Sequence, residues 1–128
     1  MPLTNSGLCV MYNHMVVCGA DELSDDRVDR IFRALADATR RDIVRRTLAG
    51  EASVSELAAA YDMSFAAVQK HVAVLEEADL VTKRSVGRQR IVRANPDTIR
   101  RAQALLDRYE QIWRSRIDRL DALLAEDE

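Results

Sequence analysis

The sequence predicts a mainly α fold with one small antiparallel β-hairpin. Three observations carry that prediction. Aromatic residues make up only 5% of a chain that is 48% hydrophobic, so the core must be assembled from Ala, Val, Ile and Leu, which suit helices better than a large β-sandwich. Apolar residues recur at helical spacing in several segments, each opened by a good N-cap residue. One stretch, residues 81–94, breaks that texture with β-branched residues, a glycine and no acid.

The elements follow in order. Residues 1–23 show no clear period and are expected to form a flexible extension. Met1, Met11 and Met15 are each possible translation starts, so residues 1–14 are expected to carry no structural weight. Residues 24–128 are expected to form one domain. Its first helix starts at Ser24 or Asp25, with Asp25 and Asp26 in the first turn. Val28, Ile31, Phe32 and Leu35 then recur at helical spacing. Asp37 caps a second helix with Ile43, Val44 and Leu48 inside and Gly50 as its stop. Ser53 and Glu56 form a capping-box pattern that opens a short helix with Leu57, Ala58 and Tyr61 on one side. After a break at Asp62-Met63, Ser64 caps a helix running to about Ala78. Val68, Val72 and Leu75 are its inner stripe; Ala66, Gln69, Lys70 and Ala73 fall on the opposite face. A short helix, a tight turn and a second helix with small and polar outer residues are the parts of a helix-turn-helix.

Residues 81–94 read as two strands around Val86-Gly87-Arg88, studded with Lys83, Arg84, Arg88, Arg90 and Arg93. Asn95-Pro96 then starts a helix over about 96–125. Its apolar positions are Ile99, Ala102, Leu106, Tyr109, Trp113, Ile117, Leu120 and Leu124, in steps of three and four. That is close to a heptad seam. A rod of roughly 42 Å, at ~1.5 Å per residue, is too long for so small a body to cover, and the seam predicts a partner chain. Folding back onto its own domain is the alternative.

Charge is distributed unevenly. The net charge is −2, yet residues 80–101 carry seven bases and one acid. A mildly acidic chain with one concentrated basic segment suits a localised polyanion contact; a solvated hairpin is the plainer alternative. All but two of the bases, Lys70 and Lys83, are Arg, whose planar donor fork matches phosphate. With no apolar run near the ~20 residues of a membrane span, and no basic region ahead of an N-terminal apolar stretch, a cytoplasmic location without membrane association is expected. Two cysteines do not make a disulfide scaffold. A Gly-rich phosphate loop, a nucleophile elbow and a clustered His–acid pair are all missing from the sequence, so no catalytic activity is expected.

The run from Arg30 through Ala34-Leu35-Ala36-Asp37-Ala38-Thr39-Arg40-Arg41-Asp42-Ile43-Val44 resembles the opening of the ArsR-type winged helix-turn-helix repressors, with Ala38 where that family usually has Pro. Val54-Ser55-Glu56-Leu57-Ala58 is similar to their helix before the recognition helix. Met63-Ser64 and Val68-Gln69-Lys70-His71-Val72-Ala73-Val74-Leu75 are similar to the recognition helix, Glu76-Glu77-Ala78-Asp79-Leu80-Val81 to its exit, and Arg84 with Gly87-Arg88-Gln89-Arg90 to the basic wing. The resemblance runs from about Asp26 to Leu124, and the long last helix looks most like the SdpR-like autorepressor branch. It implies a homodimer that binds an inverted-repeat operator in double-stranded DNA and represses, with the first and last helices as the dimer interface. The residues for that interface are Val28, Ile31, Phe32, Ile99, Leu106, Tyr109, Trp113, Ile117 and Leu120. Ser64, Phe65, Gln69, Lys70 and His71 are the candidates for the recognition helix on DNA, and Lys83, Arg84, Arg88 and Arg90 for the wing.

Some members of the family sense metals through a Cys-x-Cys pair in the helix before the recognition helix, or through His and acids on the last helix. Residues 55–61 hold no Cys, and the last helix holds Asp107, Glu110, Asp118 and Asp121 but no His. Carboxylates alone are a poor zinc or copper site, so no cofactor or metal is expected. Cys9, His14 and Cys18 are the remaining soft ligands; they define an alternative, a metal- or thiol-responsive repressor of the same fold. A protein-interaction module that no longer binds DNA is the other alternative. Salt-dependent binding to duplex DNA separates it from the regulator.

Overall fold

The helices start where the sequence offers caps. In the computed structural model, which describes residues 23–126 and the backbone of residues 9–12 and 15–18, α1 spans Asp25–Leu35 and α2 spans Ala38–Ala49. Ser24 accepts the Arg27 N–H (3.2 Å) and Asp37 the Arg40 N–H (3.0 Å). The strand β3 (Ala52–Ser53) leads into α3 (Val54–Ala59). Ser53 Oγ accepts the Glu56 N–H at 3.0 Å, and Glu56 Oε1 accepts the Ser53 N–H at 2.8 Å, a complete capping box. Ser64 accepts the Ala67 N–H (3.1 Å) at the start of α4 (Phe65–Glu77). Each such cap contributes about 1 kcal/mol. Strands β4 (Val81–Val86) and β5 (Gln89–Ala94) precede α5 (Pro96–Glu126), where Asn95 Oδ1 accepts the Asp97 N–H at 3.3 Å.

The result is a mainly helical domain with a three-stranded antiparallel sheet in the order β3-β5-β4. Its core is aliphatic. Ile31 and Ala34 of α1, Ile43 and Val44 of α2, Leu57 of α3 and the Val68, Val72, Leu75 stripe of α4 close over Leu80, Val81 and Val92. The α4 stripe is the predicted one. On α2, periodicity points to Leu48, but Thr47 takes the inner position and Leu48 is half exposed. The Thr47 hydroxyl donates to the Ile43 carbonyl (2.8 Å), so its polar atom is satisfied in the core.

Among the described residues two backbone positions need the left-handed region, and Gly50 is not one of them. Gly50 sits at φ 174°, extended backbone, and ends α2 through its N–H to the Arg46 carbonyl (3.2 Å). Gly87 is at φ 61°. The pair Val86↔Gln89 leaves Gly87-Arg88 as a two-residue connection, so the turn is one residue tighter than Val86-Gly87-Arg88 and Val86 belongs to the strand. Glycine at the first position of such a connection is what strand twist demands. Asp79, also at φ 61°, follows α4. Its N–H donates to the Glu76 carbonyl and the Leu80 N–H to the Leu75 carbonyl, both at 3.0 Å. This is a Schellman ending with Asp in the glycine position.

Three strands have no counterpart in the predicted order. Strand β3 pairs Ala52↔Val92 and Ser53↔Ile91 and is too short to show a period of two. Within the N-terminal extension, β1 (Cys9–Tyr12) and β2 (Met15–Cys18) form an antiparallel hairpin. Their sequences, Cys-Val-Met-Tyr and Met-Val-Val-Cys, are continuous apolar runs without alternation, and Asn13-His14 is not among the strong turn signals. Among the described residues no helix is long and apolar enough to cross a membrane.

Candidate nucleic-acid interface

Helix α4 and the turn before it are held from behind by the apolar stripe and by three polar ties. The first runs to α2. Arg40 Nε donates to the Ala34 carbonyl (2.8 Å), Nη2 to the Arg33 carbonyl (3.2 Å), and Nη1 to Nδ1 of His71 on α4 (3.2 Å). A guanidinium has no acceptor, so in this contact His71 Nδ1 is the acceptor, and the ring's N–H is on Nε2. Asp37 Oδ2 lies 3.9 Å from the same Nδ1. The Arg40 N–H bound to its carboxylate holds the Asp37 pKa below the usual range, and the Arg40 charge adds to this.

The second tie fixes the turn between α3 and α4. The Tyr61 hydroxyl donates to Asp42 Oδ2 on α2 at 2.5 Å, Arg46 Nε donates to the same oxygen at 2.8 Å, and Arg45 binds the other oxygen. The Arg46 guanidinium also lies 5.5 Å from the Tyr61 ring centre, within cation–π range. The Tyr61 hydroxyl, with Arg46 and Arg45, holds the Asp42 carboxyl far below its ordinary range. Burial, reinforced by the Asp42 carboxylate, pushes the Tyr61 phenol up to about 12. The third tie is Lys83 Nζ of β4 to Glu76 Oε1 of α4, at 3.4 Å.

The opposite face of α4 is bare. Phe65, Ala66, Gln69, Lys70 and Ala73 are exposed. Among the described residues neither Gln69 nor Lys70 has a hydrogen-bond or ion-pair partner. The wing divides in two. Arg88 and Arg90 are exposed and without a partner among the described residues. Arg84 Nη2 donates to Glu51 Oε1 (3.0 Å), with Arg93 Nε 3.9 Å from Glu51 Oε2; with Lys83 on Glu76, these bases are already neutralised in part. Ser64 is exposed, and its oxygen serves as the α4 cap. Glu51, at the base of the sheet, was visible only as an acid ahead of the capping box; nothing in its spacing marks it as the wing's counter-ion.

The seam residues separate along α5. Ile31 is sealed in the core at 1% exposure, and Ile99 packs against the core. Val28 is half-buried. Phe32, Leu106, Tyr109, Trp113, Ile117, Leu120 and Leu124 are all exposed. Ile112 and Leu123, which the single seam omits, are also exposed; at roughly 100° of rotation per residue they lie beside the Leu106–Leu124 line and widen it. Among the described residues there is no group of three or more His, Cys, Asp or Glu able to hold a metal. His14 lies outside the described residues, as do the side chains of Cys9 and Cys18.

A bare polar helix braced by a helix-turn-helix frame, beside a basic hairpin, defines a winged helix-turn-helix module of the kind that sets one helix in the DNA major groove. Comparison with known proteins agrees. The helix-turn-helix domain family matches residues 35–84. The HTH-type transcriptional regulator Rv2034 of Mycobacterium tuberculosis is 41% identical over 81 residues, 63% of this chain and 76% of that protein. The crystal structure of an ArsR family transcriptional regulator, RHA00566, superposes with TM-score 0.70 at 32% identity, over 73% of this chain and 97% of that one. A homodimeric winged helix-turn-helix DNA-binding domain from Mycobacterium bovis, Mb0332, gives TM-score 0.56 at 25% identity, over 70% and 89%. This chain belongs to the ArsR family of helix-turn-helix transcriptional regulators.

Proposed function

We propose that the protein is a homodimeric transcriptional repressor that binds an inverted-repeat operator, acts in the cytoplasm and regulates its own gene as the SdpR-like branch does. The carrying observation is the bare face of α4, where Gln69 and Lys70 have no protein partner among the described residues while the opposite stripe is fully covered. In this reading Gln69 meets an adenine edge and Lys70 a guanine edge or a phosphate, the pairings their donors and acceptors allow. Ser64 and Phe65 border the same contact, Phe65 against a thymine methyl. His71 gives its Nε2–H to a phosphate. Arg88 and Arg90 supply wing contacts to phosphates or the minor groove; Lys83 and Arg84 join after exchanging their carboxylate partners for phosphate. Residues 24–128 act as one domain, and the exposed apolar line on α5, with Phe32 and Val28 of α1, receives the second subunit.

The test is a mobility-shift titration against DNA from upstream of the protein's own gene, at two salt concentrations, with sedimentation on the same preparation. A dimer that shifts this DNA specifically, and less at high salt, supports the reading. A monomer, or binding indifferent to sequence, overturns it.

A further inference from the structure

The N-terminal hairpin places both of the chain's cysteines in one cross-strand pair. The register runs Tyr12↔Met15, Met11↔Val16, Val10↔Val17 and Cys9↔Cys18, and the chain has two cysteines in all. Residues directly opposite in an antiparallel pair share a sheet face, with Cβ atoms about 4.5–5.5 Å apart. Pairs alternate along such a ladder between hydrogen-bonded and non-hydrogen-bonded positions, and the second kind is closer, with Cα atoms about 4.5 Å apart. A two-residue connection closes on a hydrogen-bonded pair. Counting outward from Tyr12↔Met15, the cysteines fall on a non-hydrogen-bonded position. That spacing lies within the range that disulfides span, about 4.4–6.8 Å between Cα atoms. The neighbouring register would set the two cysteines on opposite faces, where no bond could form.

We propose that Cys9 and Cys18 are a redox modification site: the two thiols form a reversible intrachain disulfide that closes the hairpin. The oxidant is a small-molecule disulfide. One cysteine thiolate attacks a sulfur of that disulfide, its S–S bond breaks, and one small thiolate leaves. The other cysteine thiolate then attacks the protein sulfur of the mixed disulfide, the Cys9–Cys18 bond forms, and the second small thiolate leaves. The two cysteines lose two electrons and two protons; the small disulfide gains both and becomes two thiols. Excess small thiol runs the sequence backwards, so in a reducing compartment the bond is transient. A lone two-stranded hairpin is marginal in water, and the crosslink removes disorder from its open state. Oxidation thus converts a weakly held hairpin into a fixed one. This inference does not rest on the DNA-binding reading.

The experiment equilibrates the full chain in buffers of reduced and oxidised glutathione, quenches with acid, alkylates free thiols and reads intact mass and non-reduced peptide maps. The expected main product is a monomeric chain two hydrogens lighter than the reduced one, with one peptide linking Cys9 to Cys18, fully reversed by dithiothreitol. Interchain disulfides or stable glutathione adducts as the main product would overturn the proposal. The register is tested with Cys18→Ser combined with Val17→Cys, which shortens the intervening segment by only one residue but puts the second thiol on the other face. The native pair should show an effective thiol concentration at least about tenfold above this variant's. Equal values would mean that a structureless segment closes either way, and the hairpin would carry no assignment. In the oxidised chain, amide exchange of residues 10–12 and 15–17 should slow at least about tenfold relative to the reduced chain; unchanged exchange would overturn the claim that the bond fixes the hairpin.

Discussion

Helices α4 and α5 are both amphipathic, yet they leave opposite faces uncovered. On α4, Val68, Val72 and Leu75 have no exposed surface and the polar face is bare. On α5, only Thr98 and Ala102 near its start are buried, and the apolar line from Leu106 to Leu124 lies open. The difference separates two kinds of recognition. A bare polar face on a braced helix has unspent hydrogen-bonding capacity and suits a polar, charged ligand. A bare apolar line is unfinished core and suits another apolar surface; a patch of this extent on a monomer marks an association site.

Truncation to alanine on the two helices should therefore do different damage, and this contrast is the largest effect expected. Leu75→Ala removes fully buried core and should lower the unfolding free energy by roughly 2–5 kcal/mol, at any protein concentration. Trp113→Ala should leave the winged domain folded, as judged by far-UV circular dichroism. It should weaken self-association by about 2–4 kcal/mol, read as a thirtyfold or greater rise in the sedimentation dimer constant at that scale. If Trp113→Ala unfolded the domain without changing association, α5 would be packing on its own chain and the contrast would fail.

A second pair of substitutions sharpens the α4 side against the wing. Lys70→Ala should cost about 1–3 kcal/mol on cognate DNA and less on scrambled DNA, since a base contact discriminates. Arg88→Ala should weaken both similarly and reduce the slope of log affinity against log salt by about one. Anisotropy titrations on the two DNAs decide this. Equal losses for Lys70→Ala would move Lys70 to the phosphate backbone.

The brace behind α4 carries a pH signature. Asp42 is held below its ordinary range, first by the Tyr61 hydroxyl and then by Arg46 and Arg45. Its folded pKa lies below its unfolded one, so its contribution is present in full at neutral pH. It fades as pH falls below about 4, where the unfolded carboxyl takes up its proton first. Asp42→Asn should lower Tm at pH 7, and its difference from the parent should shrink steadily toward pH 2. A difference that held constant with pH would mean the carboxylate's charge does not brace the turn.

The legible parts of this molecule were those written locally. Ser24, Asp37, Ser53 and Ser64 each announce a helix start because a cap needs only residues within three positions. The α4 stripe is readable because three buried residues and the bare polar positions sit in one continuous period. What escaped depends on distance along the chain. Glu51 meets Arg84 from 33 residues away, and Tyr61 meets Asp42 from 19; no spacing rule connects them. Thr47 displaced Leu48 on the inner face because a hydroxyl can be satisfied within its own helix, which hydrophobicity alone does not register. The width of the α5 stripe was hidden because Ile112 and Leu123 fall off the single seam that the steps of three and four pick out.

The smallest effect tests the join between the two helices. Asp79 ends α4 at φ 61°, a conformation that costs a residue with a Cβ about 1–2 kcal/mol and glycine almost nothing. The position cannot relax: its carbonyl accepts Asn95 Nδ2 at 3.1 Å, and the Leu80 carbonyl accepts the Asn95 N–H at 2.9 Å, binding the end of α4 to the start of α5. The Asp79 carboxylate lies 4.0 Å from Arg27, with both side chains more than half exposed, a pair worth little. Asp79→Gly should therefore raise stability by up to about 1 kcal/mol, seen as a Tm increase of roughly 2–6 °C, whereas Asp79→Ala should not. If the glycine variant were instead less stable, the pairing of Asp79 with Arg27 would outweigh the backbone strain, and the ion pair would be what holds α1 against the α4–α5 junction.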